Sequence, residues 1–293
     1  MRGMKRIGVT LGDPAGIGPE IVQSVMSSFV PPEGIVIEVL GSLEGCEAGK
    51  PTESSARAAI QALEEASRRL NSGEWDAVVT GPVCKHTMKR CGFDFPGQTE
   101  FFASRSGTKN YAMCLTGGAL TVGLVTCHIP LSKVADALEA QEIVRVGLLL
   151  KRFLMQKGIE NPRIAVAGLN PHAGESGEMG GEEEAIIAPA IKELQACGRF
   201  FGPLSPDTVF HLAVEGQYDG VLCMYHDQAL IPVKTIDFYG TVNITLGLSF
   251  IRTSPDHGTA FERAASFNSH PGSIISAIKT AQQMAATKQL HSE

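Results

Sequence analysis

The sequence predicts an α/β fold with a mainly parallel sheet covered by helices. Three observations predict it. Arg6 to Leu11, Ile35 to Leu40, Ala77 to Thr80, Leu120 to Val125, Arg163 to Leu169 and Gly220 to Met224 are short, largely apolar runs, the pattern of strands buried on both faces. Stretches with helical apolar spacing alternate with these runs. Turns rich in glycine and proline close most of them, drawing on 32 glycines and 16 prolines.

The elements follow in order. Arg6 to Leu11 is closed by Gly12-Asp13-Pro14-Ala15-Gly16-Ile17-Gly18-Pro19-Glu20, in which Pro19 suits the first turn of a helix reaching about Phe29. The glycines do not follow GxGxxG, and no acidic residue stands at a suitable distance after the second strand. A tight turn that needs glycine explains this loop as well as a dinucleotide site does. After Ile35 to Leu40, Ser54 or Ser55 caps a helix whose Ala56, Ile60, Leu63, Ala66 and Leu70 form one apolar stripe, and Asn71-Ser72-Gly73 stops it. Ala77 to Thr80 leads through Gly81-Pro82 to Lys85 and then to the loop Gly92 to Thr99. A lysine just past a strand can meet an anion, carry a proton or simply be solvated. Ala135 to Gln156 is a helix, and Glu182-Glu183-Glu184 opens another, Ala185 to Cys197, with acids at the positive end of its dipole. Gly202 to Asp207 is a loop, and the helix Gly272 to Thr287 closes the chain. No repeat or linker appears, so residues 1–293 read as one compact two-lobed unit whose lobe boundary no linker marks.

Composition narrows the function. The 43% hydrophobic and 19% charged residues are ordinary for a globular enzyme. A net charge of −6 argues against broad nucleic-acid binding, which needs basic residues to displace counterions. Seven scattered cysteines without a CxxC pair read as reduced thiols. Met1 to Gly12 is too short for a signal-peptide core, and no span approaches the ~18 apolar residues of a membrane helix. The expectation is a cytoplasmic protein that binds no membrane.

Three histidines, in Cys127-His128-Ile129-Pro130, Asn170-Pro171-His172-Ala173-Gly174 and Met224-Tyr225-His226-Asp227-Gln228, each follow one of the apolar runs. Binding residues sit just past the carboxyl ends of parallel strands, and neutral imidazole is the commonest metal ligand. Together they suggest a divalent-metal site with positions left open to substrate. The plainer reading is that each histidine satisfies a hydrogen bond at a strand end. Further on, Lys234, Asn243 and Arg252 combine a point charge, an amide and a planar fork suited to phosphate or carboxylate.

Gly12 to Glu20, Thr80 to Lys85, Gly97 to Phe102, His128 to Leu131, Gly168 to Glu175, Tyr225 to Gln228 and Asn243 to Ala260 resemble, in order, the 4-hydroxythreonine-4-phosphate dehydrogenase family of pyridoxal phosphate biosynthesis. The resemblance implies a two-lobed α/β/α fold similar to isocitrate and isopropylmalate dehydrogenases, with a hinge and an interlobe cleft. It implies NAD- or NADP-dependent oxidation of a small phosphorylated hydroxy acid, assisted by one divalent ion (zinc, magnesium, manganese or cobalt). The β-keto acid from the family substrate loses carbon dioxide to give 3-amino-2-oxopropyl phosphate. His128, His172 and His226 match the metal ligands, and Thr99, Lys234, Asn243 and Arg252 match substrate-binding positions. His257-Gly258-Thr259-Ala260 is similar to a turn that meets the adenosine end of the cofactor. The family site lies at a homodimer interface and draws on both subunits.

Two features depart from the family pattern. Gln98 stands where a substrate-contacting histidine is usual, and an amide keeps hydrogen bonds but carries no proton. The segment between Leu40 and Lys50 is short. Asp227 and Lys85 are the candidates for the proton acceptor. Alternatives are a sister dehydrogenase acting on 4-phosphoerythronate, a threonate phosphate or a dihydrodiol carboxylate, a metal-dependent lyase or hydrolase, and a non-catalytic metal-binding dimer.

Overall fold

The computed structural model describes residues 4–264, 266 and 268–287. The chain divides into two compact units, one formed by residues up to Lys109 together with those from Leu248 onward, the other by Asn110–Gly247. The first unit begins with β1 (Lys5–Thr10), α1 (Gly18–Ser28), β2 (Ile35–Leu40), α2 (Glu53–Asn71), β3 (Ala77–Thr80), α3 (Lys85–Arg90) and α4 (Gln98–Arg105). The second contains β4 (Ala112–Gly117), β5 (Leu120–Leu124), α5 (Val134–Ala137), α6 (Ala140–Gln156), β6 (Arg163–Ala167), α7 (Ala188–Gln195), β7 (Arg199–Leu204), α8 (Val209–Val214), β8 (Gly220–Cys223), α9 (His226–Ile236) and β9 (Val242–Leu246). The chain then returns to the first unit with β10 (Ile251–Pro255), α10 (Phe261–Ala264) and α11 (Gly272–Thr287).

In the first unit the strands lie in the order β2-β1-β3-β10, all parallel. Its core joins Leu63, Trp75 and Val78 to a ring cluster of Phe93, Phe95, Phe101, Phe102 and Phe250. The cluster anchors α4 from below and so fixes the residues at its first turn. Gly8 is required in β1 because Trp75 fills the space over it: a Cβ there would lie 1.9 Å from the indole ring.

In the second unit the order is β9-β4-β5-β8-β6-β7. β4 runs antiparallel to both β9 and β5, while β5, β8, β6 and β7 are mutually parallel. Leu115, Leu120, Val122, Leu124, Ala165 and Val221 form its core with Ala229 and Val233 of α9. Gly123 and Gly220 let α6 approach, since an added Cβ would stand 3.2 Å from Leu150 and 3.0 Å from Leu154. The architecture is α/β with mainly parallel strands, as the sequence predicts.

Several boundaries differ for physical reasons. The cap of α2 is Thr52, which accepts from Ser55 N–H while the Ser55 hydroxyl accepts from Thr52 N–H, a reciprocal box in place of a single serine cap. The helix read from Ala135 to Gln156 is broken: α5 ends at Ala137, and Leu138 and Glu139 are in extended backbone before α6 starts at Ala140. The acidic run does not open an ordinary helix. Glu183–Ile187 is a π turn preceding α7, and Glu183 is buried rather than displayed to the dipole. The loop placed at Gly202 to Asp207 begins inside β7. Among the described residues no helix is long and apolar enough to cross a membrane, and all seven cysteines are free.

Gly8→Ala tests the close approach of Trp75. Overpacking of this kind costs about 1–3 kcal/mol, so urea unfolding followed by tryptophan fluorescence should show a lower midpoint at unchanged slope.

Candidate active site

β5, β8 and β6 are adjacent and parallel, so the chain leaves all three at the same edge. His128 lies four residues past the end of β5, His172 five past β6, and His226 three past β8, at the first position of α9. His128 and His226 come together, their ring centroids 5.5 Å apart. The His226 Nδ1 is 2.7 Å from Asp227 Oδ1, which fixes the ring and leaves its Nε2 available. Both rings face a cavity of about 380 Å³ whose apolar side is Ile129, Leu131, Val134 and Ile231. His172 lines a neighbouring cavity of about 320 Å³ with Asn170 and Asp207, and Tyr225 borders both. Among the described residues, no group of three His, Cys, Asp or Glu side chains is arranged to hold one ion. A single chain brings two of the three predicted histidines together, not all three.

Two polar side chains, one half-buried and one buried, tie the three loops to one another. Thr126 donates from its backbone N–H and its hydroxyl to Met224 O, at 3.1 and 2.7 Å. Gln228, 6% exposed, accepts from Met224 N–H at 2.7 Å and donates to Gly168 O at 2.7 Å, spanning 60 residues of sequence. The loops bearing His128 and His172 are thus both joined to the strand end that bears His226.

The backbone at these loops is unusual. His128 has φ 27°, and His172, Ala173, Gly174, Glu175 and Ser176 have φ of 52°, 53°, 81°, 42° and 57°, a left-handed turn. Each non-glycine residue so held costs roughly 1–2 kcal/mol. Glu183 sits beneath the turn, 3% exposed, accepting from the backbone N–H of Leu169 and Asn170 at 2.8 and 2.7 Å and from Asn170 Nδ2 at 2.9 Å. Burial pushes its carboxyl up, but these donors outweigh burial and hold it below the ordinary value. Hydrogen bonds to a charged group contribute about 1.5–3 kcal/mol each, enough to offset such a turn.

The first unit presents a second polar group. Arg252, in β10 and 4% exposed, donates to the hydroxyls of Thr80 at 2.9 Å and Thr99 at 3.1 Å. Burial pulls its guanidinium down to about 10, the charge of Glu100 acting against it, so it stays protonated at neutral pH. Gln98 donates to Gly81 O at 3.0 Å, and its Oε1 is buried with no hydrogen-bond partner among the described residues. Lys85 begins α3, and its ammonium and Glu100 both stand over Gly97. His257-Gly258-Thr259-Ala260 packs on the glycine loop: Ile17 N–H donates to Thr259 O at 2.9 Å, and a Cβ on Gly16 would come within 2.8 Å of that oxygen. The short 41–50 segment rests there too, through Gly49 N–H to Ala15 O. In the second unit, Lys234 lies on α9 with its ammonium 5.9 Å from the Phe238 ring, and Asn243 lies on β9 with Oδ1 buried.

Sequence reasoning missed four residues of these sites. Asp207 follows β7 and lines the His172 cavity; the Ser205 hydroxyl holds its carboxyl below the ordinary value, with His172 adding a smaller pull. Tyr225 was visible only as a neighbour of His226. Asp13, fully buried in the glycine loop, accepts from Ala15 N–H, and burial raises its carboxyl. Glu183 was masked by the acidic run.

Imidazoles beyond the ends of adjacent parallel strands in one unit, and a buried arginine among hydroxyls in the other, are polar groups of the kind that α/β enzymes carry at the ends of their strands. The family described as pyridoxal phosphate biosynthetic protein PdxA matches residues 20–281. The 4-hydroxythreonine-4-phosphate dehydrogenase of Bradyrhizobium diazoefficiens is 42% identical over 290 residues, covering 97% of this chain and 84% of its own. The D-threonate 4-phosphate dehydrogenase of Salmonella typhimurium is 39% identical, covering 96% and 99%. The crystal structure of 4-hydroxythreonine-4-phosphate dehydrogenase from Klebsiella pneumoniae is similar with TM-score 0.83 and 36% identity over 96% of this chain and 99% of that one. A β-decarboxylating dehydrogenase from Thermococcus kodakarensis shares the fold, with TM-score 0.53 and 16% identity over 98% and 88%. The chain belongs to the PdxA family, and it is a dehydrogenase.

Gln228→Leu tests the link between loops. It leaves Met224 N–H and Gly168 O buried without partners, at about 1–3 kcal/mol for each. Chemical denaturation should show that loss, and amide exchange should quicken at Met224.

Proposed function

We propose that the protein oxidises 4-phosphohydroxy-L-threonine with NAD or NADP and one divalent ion, giving a β-keto acid that decarboxylates to 3-amino-2-oxopropyl phosphate. The observation that carries the reading is the placement of three histidines past β5, β6 and β8 in a chain of this family. The donor set fits a divalent ion: two imidazoles share a cavity, and one is oriented by a carboxylate at 2.7 Å, the usual arrangement for a ligand histidine. His128, His172 and His226 would hold the ion, with a second copy of the chain supplying what one chain does not bring together. Imidazole donors favour zinc or cobalt over magnesium or manganese. When bound, the ion polarises the substrate hydroxyl and the nicotinamide accepts hydride.

The chain's own residues supply the rest. Arg252, held by Thr80 and Thr99, offers its planar fork to the anionic end of the substrate, with Lys234 and Asn243 as further contacts. The packed turn His257 to Ala260 would cradle the adenosine end of the cofactor, where the His257 Nε2 is buried without a hydrogen-bond partner among the described residues. Asp227 is committed to His226, which suits it to orienting that ring; Lys85 is left as the proton acceptor.

Gln98 favours a second reading. The relative named for D-threonate 4-phosphate is nearly as similar as the one named for 4-hydroxythreonine 4-phosphate, and their substrates are a hydroxy acid and an amino acid. The Gln98 amide oxygen accepts from either a hydroxyl or an ammonium and carries no proton.

The test is formation of reduced nicotinamide by cobalt- or zinc-loaded protein with 4-phosphohydroxy-L-threonine, beside D-threonate 4-phosphate, 4-phosphoerythronate and a chelated control. Metal-dependent turnover of the first is expected; turnover of another acid alone would move the protein to the sister activity. Lys85→Met should lower kcat by about 10²–10⁴-fold with little change in KM, and an unchanged kcat would remove Lys85 from proton transfer.

A further inference from the structure

We propose that Glu183 is the positioning residue for His172: its buried carboxylate clamps the entry to the left-handed turn and so sets the direction in which the imidazole is presented. This rests on the reading of His172 as a metal ligand and adds what aims it.

Four of the five residues in the turn, His172, Ala173, Glu175 and Ser176, carry a Cβ, and none is the asparagine or glycine that adopts this conformation readily. Their own preferences do not select it. Something outside the turn must, and Glu183 is built into that place. One of its oxygens takes the backbone N–H of both Leu169 and Asn170, the two residues through which the chain enters the turn. The other takes Asn170 Nδ2, which also reaches Glu182.

The surrounding backbone is shaped to the same group. An added Cβ on Gly168 would lie 3.1 Å from one Glu183 oxygen, and on Gly174 2.8 Å from the other. The start and middle of the loop therefore close around this carboxylate and leave no room for a side chain. Glu183 reaches it as the first residue of the π turn Glu183–Ile187, and such turns recur at functional sites. Both oxygens are engaged by donors, and Glu183 lines neither histidine cavity. It therefore acts through His172 rather than on a substrate.

The experiment compares full-length Glu183→Gln, Glu183→Asp, Glu183→Ala and His172→Ala, with Co²⁺ as the probe. Calorimetry gives cobalt affinity, the visible ligand-field bands report coordination, and circular dichroism checks the fold. Glutamine keeps an oxygen for the two backbone donors and gives up only the acceptor of Asn170 Nδ2, which retains Glu182, whereas aspartate keeps the charge but is one methylene too short. The expected order is near-wild-type affinity for glutamine, and a loss of about 10–100-fold with altered bands for aspartate and alanine. Should the alanine variant not fold, the glutamine–aspartate comparison decides alone. Wild-type affinity and bands in aspartate, or a glutamine variant as weak as alanine, would overturn the clamp. Unchanged cobalt binding in His172→Ala would instead overturn the ligand reading on which the clamp rests, a separate failure with its own signature.

Discussion

The parallel run β5-β8-β6 is the constraint on which the histidine site depends. Parallel strands cannot be joined by tight hairpins; each return passes over a face of the sheet, so successive strands end at the same edge. Val122 pairs with Val221, and Val221 with Ala165, which levels the three strand ends to within a residue or two. Every loop that leaves them then begins at nearly the same height. Histidines about 45 to 55 residues apart in sequence become neighbours because of that register, without any local metal-binding spacing.

Register alone places backbones, not imidazoles. Aim comes from polar side chains at the strand ends, of which Gln228 is buried where an unmet donor or acceptor would be costly. Thr126 and Gln228 direct their hydrogen bonds to Met224 and Gly168, and so hold three loops to one another. Asp227 adds the finest adjustment by taking the Nδ1 side of His226. The site is thus organised in layers, from strand register through loop bridges to ring orientation.

Much of this was legible in the sequence, and the reasons for the rest are physical. The strands of the β5-β8-β6 run were visible because they are buried on both faces and read as apolar runs. β10 is equally buried yet reads Ile-Arg-Thr-Ser-Pro, because Arg252 and Thr253 turn their polar ends to specific partners instead of solvent. A strand whose polar side chains are paired inside the fold loses the apolar signature by which it would be found. Likewise the apolar part of β4, Ala112-Met113-Cys114-Leu115, carries none of the β-branched residues that mark a strand, and β9 is interrupted by Asn243 and Thr245. The three histidines could be placed at strand ends from sequence, but not the left-handed backbone of His172 and its neighbours or its place in a separate cavity, since that turn is built from residues with a Cβ. No residue-type preference announces that conformation. Glu183 was hidden for a related reason, since three consecutive glutamates look like a solvated helix start until one of them is seen to be buried.

The contrast between Glu183 and Gln98 separates frame from chemistry. Glu183 is enclosed by glycines that exist to make room for it, so a change there disturbs the backbone it supports. The Gln98 side chain makes a single hydrogen bond among the described residues, to Gly81 O, at the first position of a helix anchored by the rings of Phe101 and Phe102. Those rings, and the extended cap at Gly97, set the direction of α4 whatever residue begins it. The group at this position can therefore change, and with it the charge and proton-carrying power it presents, while the strands and the ring cluster of this unit stay where they are.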